Sequence, residues 1–415
     1  MKRIKKYNLV TIIILALIYL GNVMSTSFNQ RSEINKNIKT ENTFIGSESC
    51  KSCHKDIYES HIKTAHYLTS HIATKDFIKG SFDAGKNHFV YNKFMEVVLD
   101  NDNDSFFQTA FINGIAYQTE PFDIVIGSGG KGQTYLYFDS GRLFQLPVSY
   151  YTPLNSWCNS PGYPTNYIRF NRRITGECIE CHGTYATINN ETKNDPLFDK
   201  QKIIYGVDCE RCHGPASQHV DFHKQHPDEK KAQFIINAKL MNRQQRLDAC
   251  ALCHSGFRKE IQPAFSFKVG DKLDDFSTAN YSSDTASSLD VHGNQYGLLT
   301  SSKCFINSPQ MDCSSCHNVH VKESNNPKLF SERCMTCHNT ASHNTCTVSN
   351  TKGLVLKDNC IDCHMPALPS QKIFLQVADP NKSTADLVRM HRVGIYENST
   401  KDYLKRIKSA SENHE

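Results

Sequence analysis

The pentapeptide Cys-x-x-Cys-His occurs seven times in this chain: Cys50/Cys53/His54, Cys178/Cys181/His182, Cys209/Cys212/His213, Cys250/Cys253/His254, Cys313/Cys316/His317, Cys334/Cys337/His338 and Cys360/Cys363/His364. These copies use 14 of the 17 cysteines, so nearly all the thiol has one chemical destination. In such a pentapeptide the two thiols add across the vinyl groups of a porphyrin. The adjoining imidazole then falls beneath the ring as proximal iron ligand, which is the attachment pattern of c-type haem. A Cys-x-x-Cys half-site can also belong to a zinc knuckle, but zinc does not require a histidine directly after every second cysteine. All seven copies have one, which implies seven covalent haems with His54, His182, His213, His254, His317, His338 and His364 as proximal ligands.

Only 39% of the 415 residues are hydrophobic and the mean hydropathy is −0.51, which leaves a thin core for a chain of this size. Seven porphyrins are large apolar plates that peptide can wrap, so cofactors supply much of the expected interior. Motifs begin at 50, 178, 209, 250, 313, 334 and 360, intervals too irregular for a solenoid. The expectation is a mainly α, haem-packed protein with little regular secondary structure, short helices carrying the motifs. One stretch differs: residues 88–151 are rich in aromatic and β-branched residues. Phe94–Leu99, Phe106–Ile112, Ile115–Thr119, Thr134–Phe138 and Arg142–Tyr151 read there as strands of a β-meander. Asn113-Gly114 and Asp139-Ser140-Gly141 are its turns. Gly127–Gly132 reads as a structural loop, since it lacks the lysine-serine ending of a phosphate cradle. Ala264–Val269 also reads as a strand, and the tail after Tyr396 as a charged, fraying helix or disordered segment. Its run Lys401–Lys408 reads as a solvated face. The expected organisation is an N-terminal segment 1–25, a first haem segment 44–80, a β-rich insertion 81–160, a six-haem block 161–395 and a tail 396–415.

The first 25 residues have a basic start and an apolar run from Leu9 to Met24, with Val23 and Ser25 suited to a cleavage site. A cleaved signal peptide is the preferred reading over a retained membrane anchor, and either one exports the body to the periplasm or the outer face of the cytoplasmic membrane. The formal charge of +5 owes four units to Lys2, Arg3, Lys5 and Lys6, leaving about +1. Two propionates per haem would add roughly 14 negative charges. Nothing in this balance points to nucleic acid.

Twelve histidines lie outside the motifs: His61, His66, His71, His88, His219, His223, His226, His292, His320, His343, His391 and His414. An electron-transfer haem takes a second axial ligand, and the supply suffices for bis-His ligation throughout. His320 follows His317 by three residues, so it can serve only a neighbouring iron and two haems must then be close. His66 follows the first motif and His219 the third, with His61, His71, His223 and His226 as open alternatives. The fourth motif has no spare histidine downstream until His292, which makes it the candidate for an open iron face.

Cys-Glu-Arg-Cys-His-Gly-Pro-Ala followed by His219, Cys-Ser-Ser-Cys-His-Asn-Val-His and the final Cys-Ile-Asp-Cys-His-Met-Pro resemble multihaem cytochromes of the cytochrome c-552/c-554 type. That superfamily also contains pentahaem nitrite reductase and octahaem hydroxylamine oxidoreductase. The resemblance covers residues 44–68 and 175–395. It implies that His66, His219 and His320 are distal ligands of neighbouring haems, and by weaker analogy His292 and His391, with His71 and His343 in reserve. Nitrite reductases of this kind replace one motif histidine by lysine, and no Cys-x-x-Cys-Lys occurs here. The expected function is therefore electron transport along closely spaced bis-His haems. Its partners would be redox proteins such as a membrane quinol dehydrogenase or a terminal reductase. The alternative is an oxidoreductase acting on a small nitrogen or sulfur oxyanion at one five-coordinate haem. Of the remaining cysteines, an oxidising compartment permits one disulfide, for which Cys304 with Cys346 is the preferred pair and whose formation the sequence leaves open, and Cys158 reads as a buried small residue.

Overall fold

The computed structural model describes residues 42–190, 195–279, 293–339, 346, 356, 358–377 and 383–412. The apolar run Leu9–Met24 lies outside them, as do His292, His343 and His414. Among the described residues no helix is long and apolar enough to cross a membrane. The chain divides into two compact units, residues 46–212 with 240–415 and residues 1–45 with 213–239.

The expectation of a mainly α protein does not hold. Helix and strand each take 29% of the described residues, and the strands form several sheets. Between the first and second motifs the larger unit has eleven strands: β1 (Ser70–Ile72), β2 (His88–Asn92), β3 (Met95–Asp102), β4 (Ser105–Ile112), β5 (Ile115–Pro121), β6 (Ile124–Ile126), β7 (Gly132–Asp139), β8 (Arg142–Gln145), β9 (Val148–Tyr151), β10 (Ser156–Asn159) and β11 (Arg172–Arg173). β2 to β5 make an antiparallel meander in sequence order. Its β4–β5 turn closes at Asn113-Gly114 with φ of +52° and +76°, the left-handed pair that matches strand twist in a two-residue hairpin. The other seven strands form a second sheet ordered β1-β6-β7-β8-β11, with β9 pairing both β7 and β10. Arg142–Tyr151 is thus two strands rather than one. Pro147 has no N–H to offer the ladder, and the chain changes partners there from β7 and β11 to β7 and β10.

The core of this unit is aromatic. Phe89, Val97, Leu99, Ala110, Tyr135, Leu146, Val148 and Trp157 are buried together, and Phe122 stacks on Tyr135 with centroids 4.3 Å apart. One buried polar side chain ties the sheets. Gln108 on β4 donates to the Val148 carbonyl at 2.7 Å and accepts from the Val148 N–H at 3.0 Å. Replacing Gln108 by alanine leaves both backbone groups of Val148 unpaired, and the expected cost is about 1–3 kcal/mol. Chemical denaturation of the holoprotein, followed by far-ultraviolet circular dichroism, measures it.

Three further hairpins lie outside the expected β segment: Gly183–Asn190 with Pro196–Tyr205, Arg258–Glu260 with Ser277–Ala279, and Ala367–Gln376 with Ser383–Arg389. Ala264–Val269 is not a strand. Phe265 has φ +67° and Phe267 turns into a small core with Ala251 and Leu273. The helices are short, as expected, and they carry the motifs: Glu48–Lys51, Gly176–His182, Cys209–His213, Arg243–His254, Pro327–Met335 and Ile361–His364, with a 3₁₀ turn Cys313–Ser315 at the fifth. Arg243–His254 starts at a capping box in which Asn242 and Gln245 exchange side-chain and backbone hydrogen bonds. After Tyr396 the chain forms a regular helix, Glu397–Glu412.

In the smaller unit, helix Ser217–Gln225 is held at its start by Asn42, whose side chain donates to the Pro215 carbonyl at 2.6 Å and accepts from Gln218 N–H at 2.9 Å.

Candidate haem-attachment sites

Each motif is a single helical turn. The histidine N–H donates to the carbonyl of the first cysteine at 2.8 Å in the first motif, 3.0 Å in the fifth, 2.9 Å in the sixth and 3.0 Å in the seventh. That i to i+4 bond puts the first thiol and the imidazole on one side of the turn, as a porphyrin bound through both requires.

Among the motif thiols, Cys53, Cys178, Cys212 and Cys337 are exposed, Cys53 the first of them. This second thiol of the first motif is exposed and accepts from the adjacent Ser52 hydroxyl at 3.8 Å, whereas Cys50 is half-buried against Cys209. The physical reason is local. Helix Glu48–Lys51 ends two residues earlier, and Lys51, Ser52 and His54 around the thiol are exposed with it. His338 of the sixth motif is exposed as well. The assignment of Cys53 to haem therefore rests on its place in the pentapeptide and not on burial in the protein.

Other imidazoles have a partner at Nδ1. Nδ1 lies 3.0 Å from the Thr69 hydroxyl in His182, 2.9 Å from the Ile236 carbonyl in His213 and 2.8 Å from the Gly394 carbonyl in His364. In His254 it lies 3.4 Å from the Gln295 side chain. A partner on Nδ1 orients the ring and leaves Nε2 for metal. Beside His317, Glu323 is 4.0 Å away, and the Arg333 guanidinium holds that carboxyl below the usual range.

Two histidines from distant segments face motif rings. The His66 centroid stands 6.0 Å from that of His254, and His391 stands 6.3 Å from His317. Two imidazoles sharing one first-row metal at about 2 Å per bond have centroids about 6 Å apart, so both pairs fit an iron between them. Burial, then the neighbouring His254, drives His66 down to about 4. His391 is driven to about 4 by burial foremost, with the field of His317 adding to it. Both rings are therefore neutral near pH 7, the form that binds metal. The fourth motif, expected to lack a second histidine, is the one that His66 faces. The partner comes from far upstream, where a search downstream of the motif cannot find it.

The other expected ligands are placed less decisively. His320 is half-buried, and its ring lies 6.2 Å from that of His61. His219 bonds the Gln233 carbonyl at 2.8 Å through Nδ1 and touches His223, centroids 4.6 Å apart. Among the alternatives, His61, His71 and His223 each bury Nε2 without a hydrogen-bond partner, the state an iron bond would relieve. The His71 ring is stacked on Phe77 at 3.8 Å. His61 has Nε2 3.7 Å from the buried Asp208 carboxylate, and His226 bonds its own helix at the Phe222 carbonyl.

The motifs approach one another in an order that is not the chain order. Cysteine sulfurs lie close together between the first motif and the third (Cys50 and Cys209), the second and the fourth (Cys181 and Cys253), the fourth and the fifth (Cys250 and Cys313) and the sixth and the seventh (Cys334 and Cys360). Cys212 lies in the field of Cys253, and Cys316 in that of Cys337, which brings the third motif to the fourth and the fifth to the sixth. The variable residues inside the motifs supply the ties. Glu210 accepts from Gly46 N–H at 2.7 Å, Glu180 of the second motif pairs with Arg211 of the third at 3.5 Å, and Asp362 of the seventh pairs with Arg389 at 2.8 Å. Gly206 makes the first of these contacts possible. At φ +69° a Cβ there would lie 2.1 Å from the Tyr67 carbonyl oxygen, and next to it Val207 N–H donates to the His66 carbonyl at 2.9 Å.

With the geometry in view, residues 166–214, which hold the second and third motifs, match the family described as cytochrome c554 and c-prime. The crystal structure of the outer cell wall cytochrome OcwA aligns with TM-score 0.53 over 86% of this chain and 81% of that one, at 16% identity. These findings support a multihaem c-type cytochrome. At that identity the likeness to OcwA is one of fold, and no curated protein matches the sequence.

No disulfide joins Cys304 to Cys346. Cys304 lies near Cys316 and Cys334, whereas Cys346 lies near Cys363 of another motif. Cys158 is 1% exposed and burial pushes its thiol up to about 12. At pH 8 it is therefore a covered, protonated thiol. Iodoacetamide is expected to leave Cys158 unlabelled in the native protein and to label it in denaturant, read by peptide mass spectrometry.

Proposed function

We propose that the chain is an exported heptahaem c-type cytochrome that carries electrons along a connected array of mostly bis-His haems in respiratory electron transfer. The observation that carries this reading is the nearness of the motifs in one series: first to third to fourth to fifth to sixth to seventh, with the second beside the fourth and tied to the third through Glu180 and Arg211. Haem iron supplies one-electron exchange when bound. The chain's residues fix where that exchange can run: the thiols anchor each ring, Nδ1 partners orient the imidazoles, and His66 and His391 are proposed as second ligands for the fourth and fifth motifs. His219, His292 and His320 remain proposed ligands of neighbouring irons. Export to the far side of the cytoplasmic membrane agrees with the N-terminal sequence and with the cell-wall location in the name of OcwA. A redox protein is the proposed partner.

One observation favours a second reading, reduction of a small nitrogen or sulfur oxyanion at one iron. The second motif is a side branch of the series, tied to the third by Glu180 and Arg211 as well as lying beside the fourth. Cys181 lies beside Cys253, while Cys178 bonds Thr175 of its own segment at 3.5 Å. Low-temperature electron paramagnetic resonance of the oxidised holoprotein separates the two readings. Seven low-spin ferric centres are expected of a carrier, and a high-spin signal lost on adding nitrite or hydroxylamine would establish the oxidoreductase instead.

A further inference from the structure

The seventh motif, one end of the proposed array, is covered by a helix whose two sides differ. On the inner side of Glu397–Glu412, the Thr400 hydroxyl bonds the Cys363 thiol and the Tyr403 hydroxyl accepts from Asn359 at 2.9 Å. Tyr403, Leu404 and Ile407 are half-buried on this side. The imidazole of His364 hangs on the Gly394 carbonyl, and the next residue, Ile395, is 84% exposed, so the motif lies just beneath the surface.

The outer side is basic. Lys401, Lys405 and Lys408, at the i, i+4 and i+7 spacing of one helix face, are all exposed, as are Arg392 and Arg406. From Arg389 to Lys408 there are six cations against two acids, Glu397 and Asp402. Glu397 lies 3.9 Å from Lys401, and the Asp362 carboxylate of the motif binds Arg389 and lies in the field of Arg406. The first motif, at the other end, shows no such excess: Glu48 pairs with Lys51 at 3.7 Å and Glu59 with Lys55 at 3.8 Å.

We propose that the Lys401/Lys405/Lys408 face docks an acidic redox protein, which exchanges electrons with the haem of the seventh motif. This rests on the electron-transfer reading above. A concentrated positive field beside a shallow cofactor steers an anionic partner and raises its association rate. A lipid surface fits less well, because an amphipathic helix binds a bilayer through its apolar side, and here that side is spent on the motif.

Stopped-flow reduction of the holoprotein by a reduced, strongly acidic flavodoxin tests this against photoreduced lumiflavin as a small neutral donor. For the variant K401E/K405E/K408E the flavodoxin rate at low ionic strength should fall at least tenfold and cease to decline with added salt, while the lumiflavin rate is unchanged. K401Q/K405Q/K408Q should lie between, with the wild-type haem spectrum as a check on folding. An unchanged flavodoxin rate would overturn the proposal, and so would loss of binding to phosphatidylglycerol vesicles with that rate intact, which would make the face a lipid contact. Failure of lumiflavin to reduce the wild-type haems would instead defeat the electron-carrier reading.

Discussion

His66→Ala should convert one haem of the seven from low to high spin while the other six keep their signals. The two rings stand 6.0 Å apart and His66 is held neutral by burial, so in the proposed pair the alanine removes a ligand rather than a surface charge. The fourth motif would then have an open iron face, and added imidazole should restore the low-spin signal. The exposed His226, bonded within its own helix, is the control, and its alanine variant should leave the spectrum unchanged. Low-temperature electron paramagnetic resonance reads both. If His66→Ala retains seven low-spin centres, some other group ligates that iron.

Removing the fourth attachment should do more. The fourth motif is where the contacts converge, reaching the second through Cys253, the fifth through Cys250 and the third through Cys212. Cys250→Ser with Cys253→Ser deletes that haem and leaves the first and third motifs separated from the fifth, sixth and seventh. Reduction by a protein donor that is single-phased in the wild type should become biphasic, with the slower fraction at least tenfold slower. Direct reduction by dithionite should still reach all six remaining haems. Uniform, unslowed reduction would mean that electrons cross elsewhere.

The attachment residues were legible because covalent chemistry dictates their spelling. Cys-x-x-Cys-His needs no tertiary information, and its single turn forms wherever it occurs. How far the protein covers each thiol was not legible, since Cys50 meets a thiol of the third motif while Cys53, three residues on, stays exposed. Fold class was not legible by the same route. Motif helices are only a few residues long, while the segment between the first and second motifs is strand, with the period-2 burial of β4 behind it. The hairpins Gly183–Tyr205 and Ala367–Arg389 were missed because Pro369 and polar residues interrupt their apolar alternation. The break at Pro147 was visible in the sequence, since proline cannot donate within a ladder. Pairing of His66 with His254 was not, because the two lie far apart in the chain and meet only in the tertiary fold. The preferred Cys304–Cys346 pair failed for a similar reason, as the two thiols sit by different motifs.

Iron positions test the central claim most directly. Anomalous diffraction from crystals of the holoprotein at the iron edge should reveal seven irons per chain in one connected array. The fourth should have the second, third and fifth as neighbours, with the first and seventh at the ends. Fewer than seven irons, or any iron isolated from the rest, would contradict it.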